Sequence, residues 1–75
     1  MKNKVAIIGV GTQGSMIAFR NAVYGKEVTA FSRSISSRER CADRIERFLE
    51  FYVQTGRLTQ AEADRARSRI TYAST

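Results

Sequence analysis

A short, continuously apolar, β-branched run, KVAIIGV from Lys4 to Val10, leads straight into Gly9-Val10-Gly11-Thr12-Gln13-Gly14. Such a run suits a strand buried on both faces of a parallel sheet better than the half-exposed strand of a hairpin. The glycines that follow are spaced GxGxxG. The first permits a tight turn, the second lets backbone approach a pyrophosphate, and the third lets a helix lie close against the strand. A helix opening there would offer unpaired amides and a partial positive charge to phosphates.

The rest of the chain supplies the flanks this motif needs. Ser15 to Tyr24 reads as a first helix closed by Gly25, with Gly14, Ala18 and Ala22 at four-residue spacing along one bare stripe. Lys26 to Ser32 (KEVTAFS) reads as a second strand, ended by the polar Ser32-Arg33-Ser34. Ser36 with Glu39 has the spacing of a capping box and predicts the start of a long helix. Its apolar positions Cys41, Ile45, Phe48, Leu49, Tyr52 and Val53 repeat at helical spacing up to Gly56. Thr59 with Glu62 repeats the capping-box spacing and predicts a short helix to about Arg69, after which Ile70-Thr71-Tyr72-Ala73 begins a third strand. The expected fold is α/β, the amino-terminal portion of a Rossmann doubly wound parallel sheet. We divide it as a βαβ cofactor motif over 1–35, a helical pair over 36–69 and the start of the next strand over 70–75, one incomplete dinucleotide-binding domain in all.

Composition narrows the chemistry. The chain has 75 residues, one cysteine and no histidine, so an internal disulfide framework and the usual zinc and iron ligand sets are excluded. A chain this short buries only roughly 60% of the surface its unfolded form exposes, which makes it marginal alone. The apolar run is too short to cross a bilayer, for which about 20 residues are needed. Lys2 and Lys4 ahead of it imitate a signal peptide, but no small-residue cleavage site follows, and a reducing, cytoplasmic setting is the expectation. Cys41, on the apolar stripe of the long helix, reads as an inert core thiol, and Tyr24, Tyr52 and Tyr72 read as packed tyrosines.

At the end of a second strand in a βαβ unit, an acidic residue normally accepts from the adenosine ribose 2′-hydroxyl and favours NAD. Here that position is Ser32, with Arg33 next. A serine can donate to a 2′-phosphate and a guanidinium can pair with it, so the expected cofactor is NADP, with NAD as the alternative. The expected cofactor-binding residues are Gly9, Gly11, Thr12, Gln13, Gly14, Ser32 and Arg33, with Arg38 as a possible further contact.

The stretches KVAIIGVGTQGSMIAF, EVTAFSRS and RIERFLEFYVQTGRLTQAEADRARSRI together resemble the amino-terminal part of the 3-hydroxyacyl-CoA dehydrogenases, over nearly the whole chain. The resemblance implies a Rossmann domain whose glycine turn cradles the cofactor phosphates, with a helical pair inserted before the third strand. It further implies oxidation of a (3S)-hydroxyacyl-CoA by hydride transfer to nicotinamide, with a histidine base and its glutamate lying beyond position 75 in longer chains. No catalytic residue is carried over onto this sequence, and acyl-CoA would be met only through a later part. Ser32 departs from the aspartate usual in the family.

Two other classes compete. The net charge of +6 admits a small basic nucleic-acid-binding module, but Ser36 to Thr75 interleaves eight bases with six acids, which reads as a solvated face. A non-catalytic nucleotide-binding or assembly module is the third reading. In the order 3-2-1-4 the first strand pairs with a fourth, so Val5 to Val10 would present an open edge, and a homo-oligomer is expected of the isolated chain.

Overall fold

In the computed structural model, which describes residues 4–9 and 11–74, short-range signals place most elements. They run β1 (Lys4–Ile8), α1 (Thr12–Val23), β2 (Glu27–Ser32), α2 (Ile35–Gln54), α3 (Gln60–Ser68) and β3 (Ile70–Ser74). The three strands are parallel in the order β1-β2-β3. Val5, Val28 and Ile70 stand in register on one face, as do Ile7, Ala30 and Tyr72. The expected Rossmann arrangement is therefore present, with Val10, the last residue of the expected first strand, outside the described residues.

Among the described residues the helices cover one face of β1, where its apolar run predicts burial on both. Its burial alternates, and Ile8 is 77% exposed. The reason is topological. Strand order and chain order run the same way, so successive right-handed crossovers put α1, α2 and α3 on one side of the sheet. The three helices touch one another as well as the strands. Val28, Ala30 and Ser32 face them and are buried, while Ala6 and Ile8 lie on the opposite face.

α1 starts at Thr12 rather than Ser15, because the turn is completed within Gly9 to Gly11 and the remaining motif residues already form the first helical turn. Its stripe of Gly14, Ala18 and Ala22 is buried, as the four-residue spacing predicts. The helix ends at Val23 with Tyr24 as its C-cap, and Gly25 takes the left-handed φ of +97° that closes it. Tyr24 is not packed. It sits at the C-cap, past the buried stripe, and is 81% exposed. The carbonyl of Ala22 at this helix end accepts from the guanidinium of Arg69 at 2.9 Å, which ties the loop after α3 to α1.

The start of α2 also differs from expectation. Ser34, not Ser36, is the N-cap, and its hydroxyl accepts from the Ser37 amide at 3.1 Å. Ser34 is the residue that keeps the extended backbone of the departing strand, which the N-cap position requires. Ser36 already lies inside the first turn. Along α2 the stripe Cys41, Ile45 and Leu49 is fully buried, and Phe48, Tyr52 and Val53 pack against it. Phe19 of α1 inserts between Phe48 and Tyr52, with ring centroids 5.3 and 4.9 Å away. Cys41 is a buried free thiol.

α3 begins as its sequence predicts. The Thr59 hydroxyl accepts from the Glu62 amide at 3.1 Å, and the Glu62 carboxylate accepts from the Thr59 amide at 2.8 Å. The backbone hydrogen bond from Thr59 lowers the Glu62 pKa. The carboxylate's share of the cap is therefore present above the ordinary carboxylate range and is lost as pH falls through the lowered value. Thr59→Ala is expected to cost about 1 kcal/mol of stability, the usual loss at an N-cap. Urea denaturation at neutral pH measures it, and an unchanged midpoint would refute it. Arg67 bridges the two helices, donating to Glu46 of α2 at 2.8 Å and to Asp64 of α3 at 2.7 Å.

Candidate functional site

The turn between β1 and α1 is made of backbone alone at its two critical points. Gly9 holds a φ of +79°, a conformation that side chains other than glycine rarely adopt. A Cβ at Gly14 would lie 2.8 Å from the Gly9 carbonyl oxygen and 3.5 Å from the Ile7 side chain. Helix and strand end are therefore as close as glycine allows. Gly11 is the N-cap of α1 and gives the helix no side-chain cap, and no acid lies in its first turn. The opening amides and the positive end of the helix dipole are thus met by no side-chain cap or acid of this helix.

A cleft of about 600 Å³ opens at the carboxyl ends of β1 and β2, the place where ligands bind open α/β sheets. Gly9 and Gly11 form one wall. Ser32 and Arg33 come from the end of β2, and Arg40 and Arg44 reach it from α2 beside Ser37. Among the described residues no carboxylate lines it. Among the described residues Arg33, Arg40 and Arg44 form no ion pair, whereas Arg47 and Arg67 both find acids. Ser32 is 4% exposed, and its hydroxyl has no hydrogen-bond partner. A buried hydroxyl without a partner carries a desolvation cost of about 1–3 kcal/mol, which a ligand acceptor in the cleft would relieve.

Of the residues expected from the sequence, the structure brings together Gly9, Gly11, Ser32 and Arg33 around this cleft. Thr12 and Gln13 are exposed on the first turn of α1 without lining it, and Gly14 is buried beneath as the packing glycine. Arg38 does not line the cleft. It follows Ser37 by one residue, about 100° round the helix, whereas Arg40 and Arg44 follow Ser37 at i+3 and i+7 and share its face. Arg40 donates to the Ser37 hydroxyl at 3.4 Å. The signal for these two arginines is their spacing from Ser37, which is informative once Ser37 is known to line the cleft. Tyr72 faces the helices, where burial pushes its pKa up to about 12, and it takes no part in the cleft.

Fold and cleft together define a dinucleotide-binding unit of the Rossmann type. Residues 4–75 match the family described as 3-hydroxyacyl-CoA dehydrogenase, NAD binding domain. A 3-hydroxybutyryl-CoA dehydrogenase of Mycobacterium tuberculosis (strain H37Rv) is 36% identical over 69 residues, which make up 92% of this chain and 24% of that protein. The crystal structure of M. tuberculosis FadB2 superposes with a TM-score of 0.92 at 35% identity, over 95% of this chain and 25% of that one. That of (S)-3-hydroxybutyryl-CoA dehydrogenase PaaH1 from Ralstonia eutropha gives 0.93 at 27% identity, over 100% and 26%. The chain belongs to the 3-hydroxyacyl-CoA dehydrogenase family, an oxidoreductase family, and lies within its NAD-binding domain. It spans about a quarter of the length of the relatives it matches. The family domain makes a nicotinamide dinucleotide the cofactor class. No described helix is long and apolar enough to cross a membrane.

Proposed function

We propose that this chain is the cofactor-binding segment of a 3-hydroxyacyl-CoA dehydrogenase that takes NADP(H) in preference to NAD(H). The observation that carries the reading is Ser32, a buried hydroxyl without a partner on the floor of an arginine-lined cleft, where an acid would be expected in an NAD site. The residues fit the group. Gly9, Gly11 and the first turn of α1 would hold the pyrophosphate, with Thr12 and Gln13 on that turn, and Ser32 and Arg33 would hold the 2′-phosphorylated ribose. When bound, nicotinamide takes up or returns the hydride exchanged with the hydroxyl-bearing carbon of the acyl-CoA. This chain's own part is to bind, to orient and to keep carboxylates away from the ribose.

Fluorescence titration of NADPH and NADH tests the preference. Tighter NADPH is expected, and equal affinities or tighter NADH would overturn it. Ser32→Asp is expected to reverse the order. It removes a donor to the phosphate, places a carboxylate beside it and supplies an acceptor for a free 2′-hydroxyl. One charge-assisted hydrogen bond is worth about 1.5–3 kcal/mol, so NADPH affinity should fall by at least about tenfold while NADH binds more tightly. A variant that keeps the parent's NADPH to NADH ratio would remove Ser32 from the site.

A further inference from the structure

Nothing in the motif that opens the chain requires arginines on α2, yet two of them stand over the ribose end of the cleft. We infer that Arg40 and Arg44 are specificity-determining residues that read a phosphomonoester on the adenosine ribose, completing a subsite whose floor is Ser32 and whose rim is Arg33. The inference deepens the dinucleotide reading and rests on it.

Three observations converge. Arg40 and Arg44 are four residues apart on one helix face, so the two cations are neighbours and repel unless an anion is shared. Of the acids on the same helix, Asp43 pairs with Arg47 and Glu46 with Arg67, and none forms an ion pair with Arg40 or Arg44 among the described residues. Finally, the Ser32 hydroxyl is more than nine-tenths buried and without a partner in the cleft that the arginines line. A cluster of unpaired guanidiniums over an orphaned hydroxyl is complementary to a tetrahedral dianion, which accepts several charge-assisted bonds at once. An unphosphorylated ribose offers such a cluster only neutral hydroxyl acceptors, which are weaker partners than a dianion. The chemistry has two natural sources, the 2′-phosphate of NADP and the 3′-phosphate of coenzyme A, which share the phosphorylated adenosine ribose.

The test measures binding, by calorimetry on the full chain, of adenosine 5′-diphosphate and of the adenosine 2′,5′- and 3′,5′-bisphosphates. One bisphosphate is expected to bind at least about tenfold tighter than the diphosphate. The 2′ isomer in that role assigns the subsite to NADP, and the 3′ isomer assigns it to coenzyme A. Arg40→Ala with Arg44→Ala should cut the ratio several-fold, leaving the share that Ser32 and Arg33 contribute, because the monoester loses two charge-assisted partners. Arg47→Ala, which removes the same charge off the cleft, should leave the ratio intact, and far-ultraviolet circular dichroism confirms that each variant keeps its helices. If all three nucleotides bind and the ratio ignores the α2 variants, the inference falls and the dinucleotide reading stands. If none binds, that reading itself falls.

Discussion

A chain carrying Gly14→Ala is expected to bind its cofactor at least about tenfold more weakly and to lose about 1–3 kcal/mol of stability, the usual cost of forcing an extra carbon into a packed contact. The added Cβ would meet the Gly9 carbonyl oxygen at 2.8 Å. That atom is backbone and belongs to the turn that would face the phosphates, so it cannot swing aside as the end of a side chain would. Relief requires α1 to back away from β1, which moves its opening amides out of position. Gly11→Ala separates the two consequences. A Cβ there meets nothing within 4 Å, and the residue's φ of −76° suits alanine. It should cost only the lesser N-cap quality of alanine while still crowding the ligand's approach. Calorimetric titration with thermal denaturation checks both. Unchanged affinity in Gly14→Ala would show that the turn is not a phosphate cradle.

What could be read from the residues alone follows the range of the forces involved. The Thr59–Glu62 box was legible because both hydrogen bonds close within four residues, and nothing distant competes with them. The start of α2 was not, because Ser34, Ser36 and Ser37 all carry a capping hydroxyl. The choice among them depends on where β2 leaves the sheet. The cap does not decide the site, since spacing alone sets a helix face: Arg40 and Arg44 line the cleft, and Arg38, the expected further contact, does not. The apolar run of β1 marked a strand and predicted burial on both faces, whereas the described helices cover one, a matter of crossover handedness rather than of composition. Ser32 shows the converse. Its identity already argued against an acid-lined ribose site, but that its hydroxyl is buried and unpartnered is a fact of packing alone.

The largest loss of stability is expected from Phe19→Ala. Phe19 is 1% exposed and joins α1 to α2 through Phe48 and Tyr52, edge-on to the latter. Truncating a buried phenylalanine costs about 3–5 kcal/mol, against a total of about 4–11 kcal/mol for a domain of this length. The change therefore removes between about a quarter and all of the margin. Thermal denaturation should show a midpoint lower by about 12 °C or more, at 4–8 °C per kcal/mol for a small domain. Binding should follow, because the same joint holds the glycine turn at the start of α1 against the arginines of α2, and the cleft exists only while the two helices keep their spacing. Phe19→Leu retains most of the apolar volume and should keep measurable cofactor affinity. A Phe19→Ala chain that melts within a few degrees of the parent would mean that the aromatic joint is not what holds α2 over the cleft.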